Sequence, residues 1–121
     1  MATILVIDDD AFLRQLATGL LRRSGHVVVQ AASAGEGQAR LAESLPDLVL
    51  LDVELPDRSG LDLLDDLKAG LTCPVVLMSG NGSPSDRDAA LARGAVDYIV
   101  KPFPPGDLAA RVAAALPGAA E

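Results

Sequence analysis

The sequence predicts an α/β fold, a doubly wound sheet of five parallel strands within a single domain of 121 residues. Two observations support this prediction. Short apolar runs rich in Val, Ile and Leu occur five times, and a segment with helical periodicity follows each of them. This alternation is typical of a parallel sheet covered by helices on both faces. Half of the residues are apolar, which is enough for an aliphatic core in a chain of this length.

The strands and the first two helices follow in order along the chain. The strands are predicted at Ile4–Ile7, Val27–Val29, Leu48–Leu51, Val75–Met78 and Tyr98–Val100. Apolar residues recur at three- and four-residue spacing in the first helix, which Gly25 ends. They are Leu13, Leu16, Ala17, Leu20 and Leu21. The second helix, from Ala34 to about Glu43, is short and carries Ala39 and Leu41.

Three further helices complete the pattern. The third ends at Gly70 and carries a row of leucines. These are Leu61, Leu63, Leu64 and Leu67. The fourth is predicted over Asp86–Arg93, with Gly94 after it, and the fifth over Pro105–Leu116, because a proline suits the first turn of a helix. We expect residues 117–121 to be either a tail or the stump of a linker.

Composition and charge exclude several classes of function. The net charge of −7 argues against nucleic-acid binding, because phosphate backbones attract Lys and Arg, and it favours a protein partner. The single cysteine, Cys73, cannot form an internal disulfide and suits a reducing cytoplasm. The N-terminus lacks a signal peptide's basic region and long apolar run. No apolar run approaches the ~20 residues of a membrane span. We therefore expect a cytoplasmic protein that binds no membrane.

Polar side chains with related chemistry stand at the ends of four predicted strands. Asp8-Asp9 follow the first strand, Asp52 the third, Ser79 the fourth and Lys101 the fifth. An α/β sheet places its chemistry at the carboxyl ends of its strands. A cluster of carboxylates at this edge would be costly without a cation, and Mg²⁺ relieves that cost while leaving ligand positions for phosphate oxygens. The set therefore predicts a magnesium site that can hold a phosphoryl group, whereas Asp10 is expected only to cap a helix.

These residues and their surroundings resemble the receiver domain of bacterial two-component response regulators, of the chemotaxis-regulator type, over nearly the whole chain. The segment Leu51–Gly60, with the sequence LDVELPDRSG, is similar to the receiver phosphorylation loop, including its proline and glycine. Lys101-Pro102-Phe103 matches a second receiver motif. The resemblance implies a flavodoxin-like fold with strand order 2-1-3-4-5, which places the first and third strands side by side.

The resemblance also implies a role for each residue of the site. Asp52 would be the phosphoacceptor, and Lys101 and Ser79 would hold the phosphoryl group. Asp8, Asp9, Asp52 and the backbone carbonyl of Glu54 would bind Mg²⁺, for which Mn²⁺ is expected to substitute. Ser79 and Tyr98 would act together as the switch. The peptide bond between Lys101 and Pro102 would be cis.

The function that the resemblance implies is a phosphoacceptor switch and not an enzyme with an external substrate. A sensor histidine kinase or a histidine phosphotransfer protein would supply the phosphoryl group. The switch would change the face formed by the fourth helix, fifth strand and fifth helix, and so control a protein partner or an output domain. The domain would catalyse only its own phosphorylation and dephosphorylation. We expect a monomer or a weak dimer through that same face.

Two alternatives remain open on the residues alone. Asp8-Asp9-Asp10 also resembles the opening motif of haloacid-dehalogenase-like phosphatases, in which Asp8 would be the nucleophile, although Phe12 breaks that pattern. A degenerate receiver, which binds partners without phosphorylation, is the other alternative. Glu54 leaves room for it, because an acid so close to the phosphoryl group obscures how long the group would persist. Taken singly, Ser79 could be a turn residue and Tyr98 an amphipathic strand residue.

Overall fold

A computed structural model describes residues 2–70, 73–80 and 82–116 of the chain. The strands are β1 (Thr3–Ile7), β2 (Val27–Ala31), β3 (Leu48–Asp52), β4 (Val75–Ser79) and β5 (Asp97–Val100). The helices are α1 (Ala11–Arg23), α2 (Ala34–Glu43), α3 (Gly60–Gly70), α4 (Pro84–Ala92) and α5 (Pro105–Ala115). All paired strands are parallel, in the order β2-β1-β3-β4-β5. The predicted fold class and strand order are confirmed.

The sheet divides the core into two layers because successive residues of a strand point to opposite faces. Leu5 and Ile7 face the layer that α2, α3 and α4 cover, while Ile4 and Val6 face the layer under α1 and α5. The central strand β3 is buried at all five positions. Such continuous burial is typical of parallel strands with helices on both sides. The core is aliphatic, as the composition predicts.

Helix α2 packs on the sheet through small residues. Its buried positions are Ala34 and Gly37, whereas Leu41 is partly buried against the core and Ala39 is exposed. A Cβ atom at Gly37 would lie 2.5 Å from Cδ1 of Ile7, so a larger residue here would require the Ile7 side chain to shift. The start of α2 is therefore in tight contact with β1.

The helix ends agree with the sequence except at α4. Asp10 caps α1 as expected, with its side chain accepting a hydrogen bond from the Leu13 amide at 3.1 Å. Helix α4 begins at Pro84 instead of the predicted Asp86. Ser83 is its N-cap and accepts the amide of Asp86, and Pro84 supplies a first-turn residue that needs no hydrogen-bond donor. The apolar periodicity of α4 starts after its N-cap, and the predicted helix therefore begins two residues after the observed one.

The remaining expectations concern exposure and the chain's last residues. Cys73 is a free thiol, partly buried against the core, and burial raises its pKa. Among the described helices, none combines the length and apolar character that crossing a bilayer demands. Residues 117–121, predicted to be a tail or linker stump, lie outside the described residues.

Candidate functional site

The strand order brings the predicted site residues to one edge of the sheet. Asp52 ends β3, Ser79 ends β4, and Asp8 and Lys101 come directly after β1 and β5. Because β1, β3, β4 and β5 are consecutive neighbours in the sheet, their carboxyl ends lie next to one another. Ser79 is paired in register with Val100, the residue before Lys101. Residues separated by up to 93 positions in sequence are thus placed together by topology alone.

Three carboxylates meet at this edge. Asp8, Asp9 and Asp52 each offer an oxygen, and these three oxygens all lie within 4.8 Å of one another. Asp8 and Asp52 are buried, with 1% of their surface exposed, whereas Asp9 is exposed. Carboxylate oxygens are the ligands that Mg²⁺ prefers, and one open side leaves room for waters and phosphate oxygens. The donor set therefore fits Mg²⁺.

Lys101 neutralises part of this negative charge. Its Nζ lies 2.8 Å from Oδ2 of Asp52 and 3.1 Å from Oδ2 of Asp8. Burial alone would lower the pKa of Lys101, but its hydrogen bond to Asp52 and the charges of Asp52 and Asp8 outweigh burial and raise that pKa. The ammonium group is therefore a fixed positive charge between two buried carboxylates.

The environment of the Asp52 carboxyl disfavours its negative charge. The pKa of Asp52 is raised from 3.8 to about 7, and burial is the largest cause of this rise. Interactions with Asp8 and Glu54 contribute to the rise, and Lys101 partly opposes it. A group with a raised pKa is poised to bind a cation or to react, because either event removes the cost of its negative charge.

The raised pKa of Asp52 predicts that Asp52→Asn stabilises the protein, by an amount that increases with pH. In the metal-free protein, the folded state retains a proton on Asp52 that the unfolded state releases at a lower pH, so stability falls as pH rises between about 4 and 7. The difference between the two pKa values corresponds to at most about 4 kcal/mol. We expect Asp52→Asn to exceed the wild type by about 2–3 kcal/mol above pH 7, and by little near pH 4.

Urea unfolding with a chelator present, over pH 4–8, measures this gap. Asp65→Asn is the matched control, because Asp65 is exposed and its pKa is lowered by a hydrogen bond with Arg93. The control should show no gain as pH rises. An Asp52→Asn gap that does not change with pH would contradict the electrostatic account.

Glu54 and Ser79 form a contact that the sequence analysis did not predict. Ser79 Oγ donates a hydrogen bond to Oε1 of Glu54 at 2.9 Å, and the Glu54 amide donates to Oδ1 of Asp52 at 3.1 Å. Burial would raise the pKa of Glu54, but hydrogen bonds involving Asp52 and Ser79 outweigh it and lower that pKa. The Glu54 carboxylate thus occupies the neighbourhood of the Ser79 hydroxyl, where the resemblance implies a phosphoryl oxygen.

Tyr98 lies next to this pair. The ring is buried, with 4% of the residue exposed, and packs in the core layer under α2, α3 and α4. A cavity of about 160 Å³ is bounded by Glu54, Ser79, Tyr98 and residues of α4. The backbone around Lys101 completes the arrangement, because its amide donates to the Ser79 carbonyl at 2.8 Å and its peptide bond to Pro102 is cis.

Arg14 supports the β1–α1 loop, which the sequence analysis missed. The sequence suggests only a surface helix residue at this position, but Arg14 is half-buried. Its Nη1 donates to the backbone carbonyl of Asp8 at 2.8 Å, and its Nε donates to the side chain of Gln30 at 3.2 Å. An arginine in the first turn of a helix can reach back to a backbone carbonyl of the preceding loop. The six-residue spacing between Asp8 and Arg14 is the sequence feature that could have predicted this contact.

Asp57 was also missed. The sequence indicates a turn residue, whereas its carboxylate accepts the amides of Ala34 and Gly35 at the start of α2. Those hydrogen bonds, from Gly35 first and then Ala34, lower the pKa of Asp57. No pattern local to residues 53–59 indicates a partner more than 20 positions away.

Comparison with known proteins adds independent findings. The family model described as response regulator receiver domain matches residues 4–113. The transcriptional regulatory protein KdpE of Mycobacterium tuberculosis is 44% identical over 118 residues, which cover 96% of this chain and 51% of that protein. The two-component response regulator PhoP of Pseudomonas aeruginosa is 40% identical over 114 residues, which cover 93% of this chain and 51% of that protein. The chain thus spans about half the length of these curated relatives.

Solved structures agree with the sequence relatives. The BeF3-activated N-terminal receiver domain of Klebsiella pneumoniae RstA superposes with a TM-score of 0.89 at 33% identity, covering 95% of this chain and 98% of that one. A CheY-like receiver domain protein from Methanospirillum hungatei superposes with a TM-score of 0.84 at 33% identity, covering 93% of this chain and 90% of that one.

Proposed function

Because this chain belongs to the response regulator receiver domain family, we propose that Asp52 accepts a phosphoryl group in a two-component signalling system. The family is a signalling switch, and its members work with histidine kinases. The observation that carries the proposal is the buried Asp52 carboxylate, with Lys101 Nζ at 2.8 Å and two further carboxylates within metal-binding range. Family membership also removes the support for the phosphatase alternative, in which Asp8 would be the nucleophile.

The proposed chemical step is an in-line phosphoryl transfer. An oxygen of the Asp52 carboxylate attacks the phosphorus of a phosphohistidine on a kinase or a phosphotransfer protein. The O–P bond forms as the P–N bond breaks, and the bonding electron pair returns to the imidazole nitrogen. Lys101 stabilises negative charge on the transferred group, because its ammonium already faces Asp52. The domain in this proposal catalyses only its own phosphorylation and dephosphorylation.

Mg²⁺ is the proposed cofactor, and Mn²⁺ is its expected substitute. Asp8, Asp9, Asp52 and the backbone carbonyl of Glu54 would hold the ion. When bound, it supplies positive charge that offsets the phosphoryl oxygens and the acid cluster. Arg14 keeps the Asp8 carbonyl in place, so that the two aspartates of the β1–α1 loop present their side chains to the same point.

The proposed switch couples the phosphoryl group to Ser79 and Tyr98. Ser79 would exchange its hydrogen bond to Glu54 for one to a phosphoryl oxygen, and the neighbouring cavity of about 160 Å³ gives the β4–α4 region and Tyr98 room to rearrange. The α4-β5-α5 face would then change. Asp97 of β5 pairs with Arg111 of α5 and with Arg87 of α4, and Arg87 also donates a hydrogen bond to the Tyr98 carbonyl.

The α4-β5-α5 face is proposed to control an output. That output is either a separate protein or a further domain of the same protein. A further domain is plausible in length, because the match covers only 51% of KdpE. We propose a monomer or a weak dimer through the same face, in the cytoplasm. The receiver itself is not proposed to bind nucleic acid, because its net charge is −7, nor to bind a membrane.

The dependence of phosphorylation on the metal tests the proposed chemistry. Acetyl phosphate replaces the protein donor, and the phosphorylated fraction is followed on a phosphate-affinity gel with millimolar Mg²⁺, with Mn²⁺, or with a chelator. We expect one phosphoryl group per chain with either cation and at least about 100-fold slower labelling with the chelator. Equal labelling with and without the cation would contradict the assigned metal site. No labelling under any condition would favour the degenerate-receiver alternative.

A further inference from the structure

The β3–α3 loop, residues 53–59, carries Glu54 and leads away from Asp52. It is closed at its base, where the Gly60 amide donates to the Val53 carbonyl at 2.8 Å. Arg58 pairs with Asp66 of α3 at 2.8 Å, and Leu55 packs against the core. Toward α2 the loop is held by Asp57, whose Oδ1 accepts the Ala34 amide at 2.9 Å and whose Oδ2 accepts the Gly35 amide at 2.8 Å. Both oxygens are used, so the orientation of the carboxylate is defined.

The surface to which Asp57 is attached belongs to the part of the molecule that carries Asp8. Ala34 is fully buried, and Gly37 one turn later contacts Ile7, the residue before Asp8. The Asp8 amide donates to the carbonyl of Ala31, the last residue of β2. Asp57 therefore links the loop after Asp52 to the packed elements β1, β2 and α2, which position the first acid of the cluster.

Asp57 is exposed, and packing does not account for its placement. Asp57 contributes to the capping of α2, because it accepts the Ala34 and Gly35 amides, whereas the side chain of the N-cap Ser33 accepts the Glu36 amide at 3.1 Å. Ser33 and Asp57 both satisfy amides in the first turn of α2, but Ser33 is adjacent to α2 in sequence. Among the hydrogen bonds of the described residues, those of Asp57 connect that turn to the distant β3–α3 loop.

We propose that Asp57 is a positioning residue that fixes the distance between the loop after Asp52 and the β1–α1 acids, and so sets the affinity of the site for Mg²⁺. This inference rests on the proposed function, because it assumes that the acid cluster binds the cation. Without the link, the hydrogen bond at the base of the loop and those of Glu54 remain, but the loop loses its hydrogen bonds to the elements that position Asp8. Loss of such a supporting contact typically lowers metal affinity by 10-fold or more.

The test compares Asp57→Ala, Asp57→Asn and Ser33→Ala in the full chain. Mg²⁺ dissociation constants are measured by titration calorimetry, and melting temperatures are measured without the cation. Asp57→Ala and Asp57→Asn lose the same charge, but Asn keeps one acceptor oxygen for an α2 amide. We expect Asp57→Ala to weaken Mg²⁺ binding about 10-fold and Asp57→Asn to weaken it less. Ser33→Ala should lower the melting temperature comparably while its dissociation constant stays within about two-fold of the wild type.

Each remaining outcome counts against a specific statement. Wild-type affinity in Asp57→Ala, equal losses in Asp57→Ala and Asp57→Asn, or an equal loss in Ser33→Ala would overturn the positioning role while leaving the proposed function intact. A wild-type chain that binds no Mg²⁺ would overturn both, and that result is distinguishable because it appears before any variant is compared.

Discussion

Lys101→Ala should slow phosphoryl transfer from acetyl phosphate by about 100- to 1,000-fold at saturating Mg²⁺, because it removes the fixed charge that faces the transferred group. The ammonium lies 2.8 Å from Oδ2 of Asp52 and 3.1 Å from Oδ2 of Asp8. Among the described residues, no other cation forms an ion pair with either aspartate. Lys101→Arg keeps the charge but replaces a compact ammonium with a planar fork, and we expect it to recover only part of the rate.

The chain offers a matched control for this variant. Lys68 is the other of its two lysines; it lies on α3 and contacts the backbone of Cys73. Lys68→Ala makes the same chemical change and should leave the transfer rate within about two-fold of the wild type, as surface substitutions away from a site usually have small effects. Stopped-flow or quench-flow labelling gives the rates. A Lys101→Ala rate close to that of Lys68→Ala would remove Lys101 from the mechanism.

Gly60→Ala should destabilise the protein by about 3 kcal/mol or more, because its Cβ has no space. That atom would lie 2.1 Å from the carbonyl oxygen of Asp52 and 2.8 Å from the Cα atom of Val53. Both neighbours are backbone atoms, so the clash cannot be relieved by rotating a side chain. The loop or the end of β3 must move, and Asp52 moves with it.

Gly19→Ala is the control for Gly60→Ala. Gly19 is exposed on α1, and nothing lies within 4 Å of the position its Cβ would take. Alanine is a better helix former, so Gly19→Ala should gain about 0.5–1 kcal/mol. Denaturant unfolding measures both variants. A Gly60→Ala chain within about 1 kcal/mol of the wild type would contradict the close approach of α3 to β3.

The positions of the strands and of most helix ends were predictable from the sequence, whereas the order of the strands was not. Apolar runs such as Leu48–Leu51 located the strands, and α2 was predicted with the bounds that the structure has, Ala34–Glu43. The strand order did not follow from the residues, because several right-handed arrangements of five βα units satisfy the same pattern. It came from the family resemblance. The start of α4 was placed late, although Ser83 and Pro84 are recognisable start signals.

The candidate site also has a part that was predictable from the sequence and a part that was not. Asp8, Asp52 and Lys101 were predictable because a residue that follows a strand is placed by the strand, and the structure brings all three together. The contacts of Asp57 with α2 and of Ser79 with Glu54 join residues 22 to 25 positions apart whose meeting depends on loop geometry. No local pattern encodes that geometry, so these contacts became visible only in three dimensions.

The most direct test of the account is the intact mass of the chain after incubation with acetyl phosphate and Mg²⁺. Wild type, Asp52→Asn and Asp8→Asn are measured before and after treatment with hydroxylamine, which cleaves acyl phosphates. We expect one hydroxylamine-labile phosphoryl adduct on the wild type and none on Asp52→Asn. An adduct that persists on Asp52→Asn but disappears from Asp8→Asn would contradict it, because the nucleophile would then be Asp8.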